Sequence, residues 1–172
     1  MLKMLGAIMI LLAGTVAGWI QARRFAARPG EIRRLILSLQ RLETEIGYGF
    51  IPLPEALRRI GAQNREPLKK LFTDAADAME APRSWTAQDS MHHALKANWS
   101  NTSMKTPERE VLYQLAFTLG TSDRTSQKSH IQSAVRALET EEAQALEEQS
   151  RYEKMSRSLG LLVGAFIVIL IY

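Results

Sequence analysis

The sequence predicts an all-α protein, a six-helix antiparallel bundle flanked by N- and C-terminal transmembrane helices. Three observations carry that expectation. Uncharged apolar runs occupy the two ends, Met4–Ile20 and Leu159–Tyr172. Between them, apolar residues recur at helical spacing with no sustained strand-like alternation. Proline, glycine and capping residues punctuate the middle at spacings that suit short helices joined by short loops. The averages conceal this organisation: 46% hydrophobic and 23% charged residues would describe an ordinary soluble chain. A length of 172 residues suits one domain.

Residues 1–22 are expected to form the N-terminal transmembrane helix. Their uncharged stretch is about 17 residues, the short limit for a span. A cleaved secretory signal is the rival reading. The apolar run is long for a signal core, and Arg23, Arg24 and Arg28 come soon after it. Positive charge placed there opposes translocation of the chain beyond it, which favours a retained anchor. Residues 158–172 form the expected C-terminal transmembrane segment. Its apolar part is only about 14 residues, ~21 Å as a helix against a bilayer core of ~30 Å. A buried core helix is the rival. Snorkelling by Arg157 and the position at the chain end favour insertion. Basic residues crowd the inner flanks, from Arg23 to Arg41 and from Arg151 to Arg157, whereas only Lys3 lies outside. The positive-inside bias therefore places the bundle, residues 23–157, in the cytoplasm and both termini on the opposite side.

The first bundle helix is expected from Glu31 to Ile46, with Ile32, Leu35, Ile36, Leu39, Leu42 and Ile46 on one face. Pro29-Gly30 is expected to kink it away from the anchor. The second starts at Pro54 and carries Leu57 and Ile60. The third starts near Pro67, presents Leu68, Leu71, Phe72, Ala75 and Met79, and is ended by the "APRS" at 81–84. The fourth presents Ala87, Met91, Ala94, Leu95 and Trp99. The fifth has Thr106 as expected N-cap, Pro107 at its first position, Glu108 and Glu110 near the positive end of the dipole, and Gly120 after its last turn. Its buried face is Val111, Leu112, Leu115 and Leu119. Ser122 or Asp123 caps the sixth, in which Ile131, Leu138, Ala145, Tyr152 and Leu159 recur every seven residues. That helix either breaks near Ser156–Gly160 or runs on unbroken.

If the first and sixth helices both enter one bilayer, they lie antiparallel beside it. Counting outward along each, Arg33 and Arg34 fall near Glu147 and Glu148, and Arg41 near Glu139. These charges either set helix register or mark a partner surface; a solvated charge run is the rival. Exposed pairs contribute only about 0–1 kcal/mol each.

Catalytic constellations are missing. There is no cysteine, so neither disulfides nor thiol chemistry arise. His92 and His93 are adjacent and diverge by about 100° around a helix, off the apolar stripe, with Asp89 placed to meet one of them. No Glu-x-x-His pair, nucleophile elbow or phosphate-binding Gly-x-x-x-x-Gly-Lys occurs. "GYG" at 47–49 is too short for a dinucleotide fingerprint and comes after a helix. The chain is therefore expected to be no enzyme, with no cofactor and no metal. Nucleic acid is not an expected partner either, because anionic lipid accounts for arginines beside an anchor.

Four blocks then carry a family resemblance: "MLKMLGA"; "RPGEIRRLILSLQRLETEIGYGFIPLPEAL"; "LAFTLGTSDRTSQKSHI" with the following "LETEEAQA"; and "KMSRSLGLLVG". In this order, over essentially the whole chain, they resemble the stage III sporulation protein AB family. That family in turn is similar to one cytoplasmic helical domain of the type II secretion inner-membrane platform protein F. The pattern there is a glycine, a short gap, Pro-Leu and Glu-Ala-Leu, matched here by Gly49, Pro52-Leu53 and Glu55-Ala56-Leu57. The resemblance implies a six-helix bundle and a non-catalytic place in the channel complex between mother cell and forespore during endospore formation. It implies a mother-cell membrane location, a secretion-type cytoplasmic ATPase and other membrane proteins of the same assembly as partners. Platform proteins carry two such domains and this chain has one, so a complete platform needs a partner or a homo-oligomer. The rival function is a membrane-anchored ligand-binding or sensor domain.

The corner after the first helix is unusually apolar for a solvated loop. Tyr48, Phe50 and Ile51 stand there among two glycines and two prolines. A straight first helix would put them about 35–40 Å from the bilayer. They are the candidate residues for docking the ATPase.

Overall fold

Six helices succeed one another: α1 over 26–47, α2 Leu53–Gln63, α3 Leu68–Met79, α4 Ala87–Asn98, α5 Thr106–Thr118 and α6 Arg124–Ile171. A 3-10 turn, Trp99–Asn101, extends α4. The computed structural model describes residues 26–47, 51–80, 82, 84–119 and 123–171. No strand occurs among them.

Helix α1 is the spine of the core. Ile32, Leu35, Leu39 and Leu42 are fully buried, with Ile36 and Ile46 nearly so. This is the i, i+3, i+4, i+7 row expected of a core-facing stripe. The row begins earlier than the apolar pattern suggests. Pro29 and Gly30 lie inside the described helix, and the anchor from which a kink is expected lies outside the described residues.

The shorter helices pack in sequence around this spine: α2 on α3, α3 on α4, α4 on α5, and α5 on α6. Leu57 and Ile60 of α2, and Leu68, Leu71, Phe72 and Ala75 of α3, join the core as expected. Met79 is only partly buried. Gly61 allows α2 and α3 to approach closely, since a Cβ there would lie 2.8 Å from Thr73 Oγ1 and 3.2 Å from the Lys69 carbonyl. Arg58 clasps the same pair from outside, donating to Asp77 at 2.6 Å and Glu80 at 2.8 Å. Thr86 caps α4 by accepting from the Asp89 amide at 3.1 Å. Asp89 in turn accepts from the Thr86 hydroxyl, so it serves the cap and not a histidine.

Helix α5 buries Leu112, Leu115, Ala116 and Leu119. Val111 is partly buried and packs against them. The cap differs from the expected one: Thr106 is already helical and Lys105 stands at the N-cap. Asp123 caps α6 by accepting from the Ser126 amide at 3.4 Å. That contact, first through the Ser126 side chain, holds the exposed Asp123 carboxyl below its ordinary range.

Helix α6 runs unbroken for 48 residues, ~72 Å. Ile131, Ala134, Val135, Leu138 and Ala145 face the bundle. Beyond Ala145 the seam leaves the core, and Leu146, Tyr152 and Met155 are exposed. Among the described residues no helix is long and apolar enough to cross a membrane. The transmembrane part of the fold expectation is therefore without support there. The apolar run of 158–172 is shorter than the ~20 residues that a spanning helix takes. The expected anchor at 1–22 lies outside the described residues.

Candidate functional site

The densest polar chemistry sits where α1 and α6 meet at one pole. Arg28 lies four residues before Ile32 and so continues the buried row of α1. Its side chain is 3% exposed. A buried guanidinium must be paired and hydrogen-bonded, because isolated burial of a charge is prohibitive. Three carboxylates do this. Arg28 Nε donates to Glu108 Oε1 at 2.7 Å. Nη1 donates to Glu148 Oε2 at 2.8 Å and Nη2 to Glu141 Oε2 at 3.2 Å. One side chain from α1 thus ties α5 and α6 together.

Glu108 is fully buried. Its other oxygen, Oε2, accepts the Lys105 amide at 2.8 Å, which satisfies a free donor at the start of α5. Glu148 is shared with Lys105, whose Nζ reaches its two oxygens at 2.9 and 2.7 Å. The Lys105 hydrogen bond, then the charges of Lys105 and Arg28, hold the Glu148 carboxyl below its ordinary range against partial desolvation. Glu31, one turn along from Arg28, accepts the Ser103 amide at 2.7 Å and the Ser103 hydroxyl at 3.1 Å. The segment Arg28–Glu31 therefore grips the loop before α5, its first turn, and α6.

This cluster is a structural clamp with its valences filled. Every Arg28 nitrogen meets a carboxylate. Among the described residues no group of three or more His, Asp or Glu could hold a metal ion. His92 packs edge-on against Tyr113 and Phe117 at ring distances of 4.7 and 5.4 Å. His93 lies against Trp85 at 5.1 Å. His92 is thus partly enclosed by α5 aromatics rather than fully solvated.

The helices α1 and α6 do lie antiparallel, with Arg33 beside Glu142 and Glu43 bonded to Gln132. The register differs from equal counting by about a turn and a half. Arg28, not Arg33 or Arg34, meets Glu148. Arg33 is largely exposed, 3.8 Å from Glu142. Arg34 donates to the Gly30 carbonyl of its own helix at 3.1 Å, and Arg41 donates to Gln63 on α2. Glu139 and Glu147 are exposed. Of the six charges singled out from sequence, only Glu148 enters the clamp. Ile51 is half-buried and packs on the core, while Tyr48 and Phe50 lie outside the described residues.

Arg28, Glu108 and Glu141 were not singled out, yet their signal was present. Glu141 and Glu148 each lie three residues beyond Leu138 and Ala145, so both occupy the inward seam of α6. Acids at core-facing positions require a cation, and Arg28 at the head of the α1 row supplies it.

A helical bundle closed by a buried ion clamp, with the long α6 running on past the pole where the described α1 begins, defines an all-α helical-bundle protein. Comparison with known proteins supplies the family. The family model for stage III sporulation protein AB matches residues 3–172. "Stage III sporulation protein AB" of Bacillus subtilis (strain 168) is 41% identical over 171 residues, covering 99% of each chain. A solved structure titled "Stage III sporulation protein AB (SpoIIIAB)" superposes with a TM-score of 0.68 at 40% identity. That match covers 73% of this chain and 98% of the other. The chain belongs to the stage III sporulation protein AB family and is a sporulation protein.

Proposed function

We propose that this chain is a non-catalytic platform component of the mother cell–forespore channel complex, linking a cytoplasmic secretion-type ATPase to membrane partners. One observation carries the reading. The N-terminal end of α1 and the outgoing half of α6 leave the bundle at the same pole, and Arg28 locks them there to α5. A domain held by both ends at one surface needs such a lock, because force applied at the far corner is resisted where the two helices converge. The bundle, residues 23–157, stands in the cytoplasm of the mother cell, with the apolar segments 1–22 and 158–172 in the membrane around the forespore. The type II secretion F-like corner with Tyr48 and Phe50 is the ATPase-facing tip. Ile51 contributes mainly packing, since it rests on the core.

The test is co-purification of the full chain with the ATPase and sister membrane proteins from sporulating cells. Phe50→Ser and Tyr48→Ser are expected to release the ATPase while leaving the bundle's melting temperature unchanged. Retained ATPase binding in both variants removes the tip from the reading. A small ligand that stabilises the purified chain, with no protein partner recovered, favours the sensor alternative instead.

A further inference from the structure

We propose that the groove between α1 and the α2–α3 corner is a self-association site that receives the acidic outer face of α6 from a second copy of this chain. The groove measures about 320 Å³ and is lined by Arg34, Leu37, Arg41, Asn64 and Arg65 among others, with no carboxylate in its lining. Leu37 is 50% exposed, a large apolar residue on the outer face of α1. Arg34 and Arg41 make hydrogen bonds only to neutral groups, and Arg65 forms no ion pair among the described residues. Three cations around an open leucine fit an acidic helix that carries an apolar residue of its own.

The chain carries such a face. On α6, Glu139, Ala143, Leu146, Glu147 and Ser150 are all exposed and fall within about 100° of one another around the helix. Leu146 is 51% exposed between the two acids. Neither Glu139 nor Glu147 pairs with a cation among the described residues, unlike Glu141, Glu142 and Glu148 on the inner face. Arg136 and Arg151 stand beyond the two ends of this acidic patch.

The heights are close as well. Because Arg33 stands beside Glu142 and Glu43 beside Gln132, the Glu139–Glu147 stretch is level with the part of α1 that carries Arg34. Two copies side by side in one orientation bring Glu147 to Arg34 and Glu139 to Arg41 with an axial stagger of about 8 Å. The two surfaces lie on different sides of α1, so the contact is head-to-tail. A head-to-tail contact repeats around a ring or along a filament rather than stopping at a symmetric dimer. The inference rests on these two surfaces and not on the ATPase reading.

The test uses the full chain in detergent, with mass measured by sedimentation. The parent is expected to self-associate, and to do so less at high salt. Paired reversals R34E/R41E in the groove, or E139K/E147K on α6, should each weaken assembly about tenfold or more, since like charges then face each other. Mixing the two variants is the decisive arm. The groove of one and the acidic face of the other remain intact, and the reversed groove meets the reversed face with the signs exchanged, so the mixture should regain the assembly that neither variant shows alone. If a reversal disturbs folding, the neutral pairs Arg34→Gln with Arg41→Gln and Glu139→Gln with Glu147→Gln replace it, and their mixture, with one intact groove and one intact face, should stop at a 1:1 pair. A parent that stays monomeric at about 100 μM, or variants that assemble as the parent does, overturns the proposal. Loss of a heterologous partner by the groove variant while the parent is monomeric also overturns it and assigns the groove to that partner. Loss of ATPase binding with self-association intact counts against the platform reading alone.

Discussion

Replacing Arg28 by methionine tests the clamp most directly. Methionine keeps much of the volume and removes the charge. Glu108, fully buried, then retains the Lys105 amide and loses its cation at 2.7 Å. Breaking a buried pair by deleting one partner costs about 3–5 kcal/mol. Glu141 and Glu148 add less, because Glu148 is 39% exposed and keeps Lys105. Domains of this kind are stable by about 5–15 kcal/mol, so the loss is a large fraction of the total. It corresponds to a fall of roughly 10–20 °C in melting temperature for a bundle of this size. The assay is thermal unfolding of the full chain monitored by far-UV circular dichroism. Arg28→Lys should recover only part of the loss, since one ammonium cannot reproduce a fork that reaches three carboxylates. Adding Glu108→Gln to Arg28→Met should recover more, because no uncompensated charge then remains buried. A loss below about 1 kcal/mol for Arg28→Met, the size of an exposed pair, would refute the argument.

Particular positions give further outcomes. Gly61→Ala should destabilise by about 1–3 kcal/mol, because the new methyl meets Thr73 Oγ1 and the Lys69 backbone at the α2–α3 contact. Gly30→Ala, where nothing lies within 4 Å, should instead stabilise by about 0.5–1 kcal/mol; equal shifts in urea midpoint would contradict both. The Glu148 carboxyl is depressed by Lys105 and Arg28, so its stabilising contribution is present above the unfolded value, about 4.3, and is lost as the pH falls through the lower folded value. Glu148→Gln should therefore flatten the fall in melting temperature on acidification; an unchanged slope would show that Glu148 contributes nothing to it.

The apolar periodicity made most of the fold legible. Ile32 to Ile46, Leu68 to Ala75 and Ile131 to Ala145 all read correctly as core rows, because packing against neighbours obeys the same period that sorts residues by face. Capping was legible where side chains act locally, as at Asp123, and misread by one residue at Thr106. The clamp was harder to see. Arg28 lies just before the apolar row and beside Pro29-Gly30, so it reads as a flanking charge until its partners 80 to 120 residues away are brought to it. Counting charges from the two ends assumed equal offsets for α1 and α6. In the structure Arg28 meets the inward acids Glu141 and Glu148, about a turn and a half away from that count.

Those inward acids explain why a polar lock suits this pole better than another apolar layer. Ile131, Leu138 and Ala145 are spaced by seven, so sliding α6 along α1 by two turns, ~10.5 Å, would again set apolar side chains against the α1 row. An apolar seam alone discriminates weakly among such registers. Arg28 adds discrimination, because Glu141 and Glu148 are also seven apart: a two-turn slip sets one in the other's place and brings Ala134 or Met155 to the vacated position, so the 3%-exposed guanidinium loses one of its three carboxylates. The clamp is thus expected to specify register as well as to stabilise. The Arg28→Met, Glu108→Gln variant separates the two roles. The chain has no cysteine, so spin labels can be placed at introduced cysteines on exposed positions of α1 and α6. Near-parent stability with a broadened distance distribution is the expected result. A distribution as narrow as the parent's would show that the apolar rows hold the register by themselves.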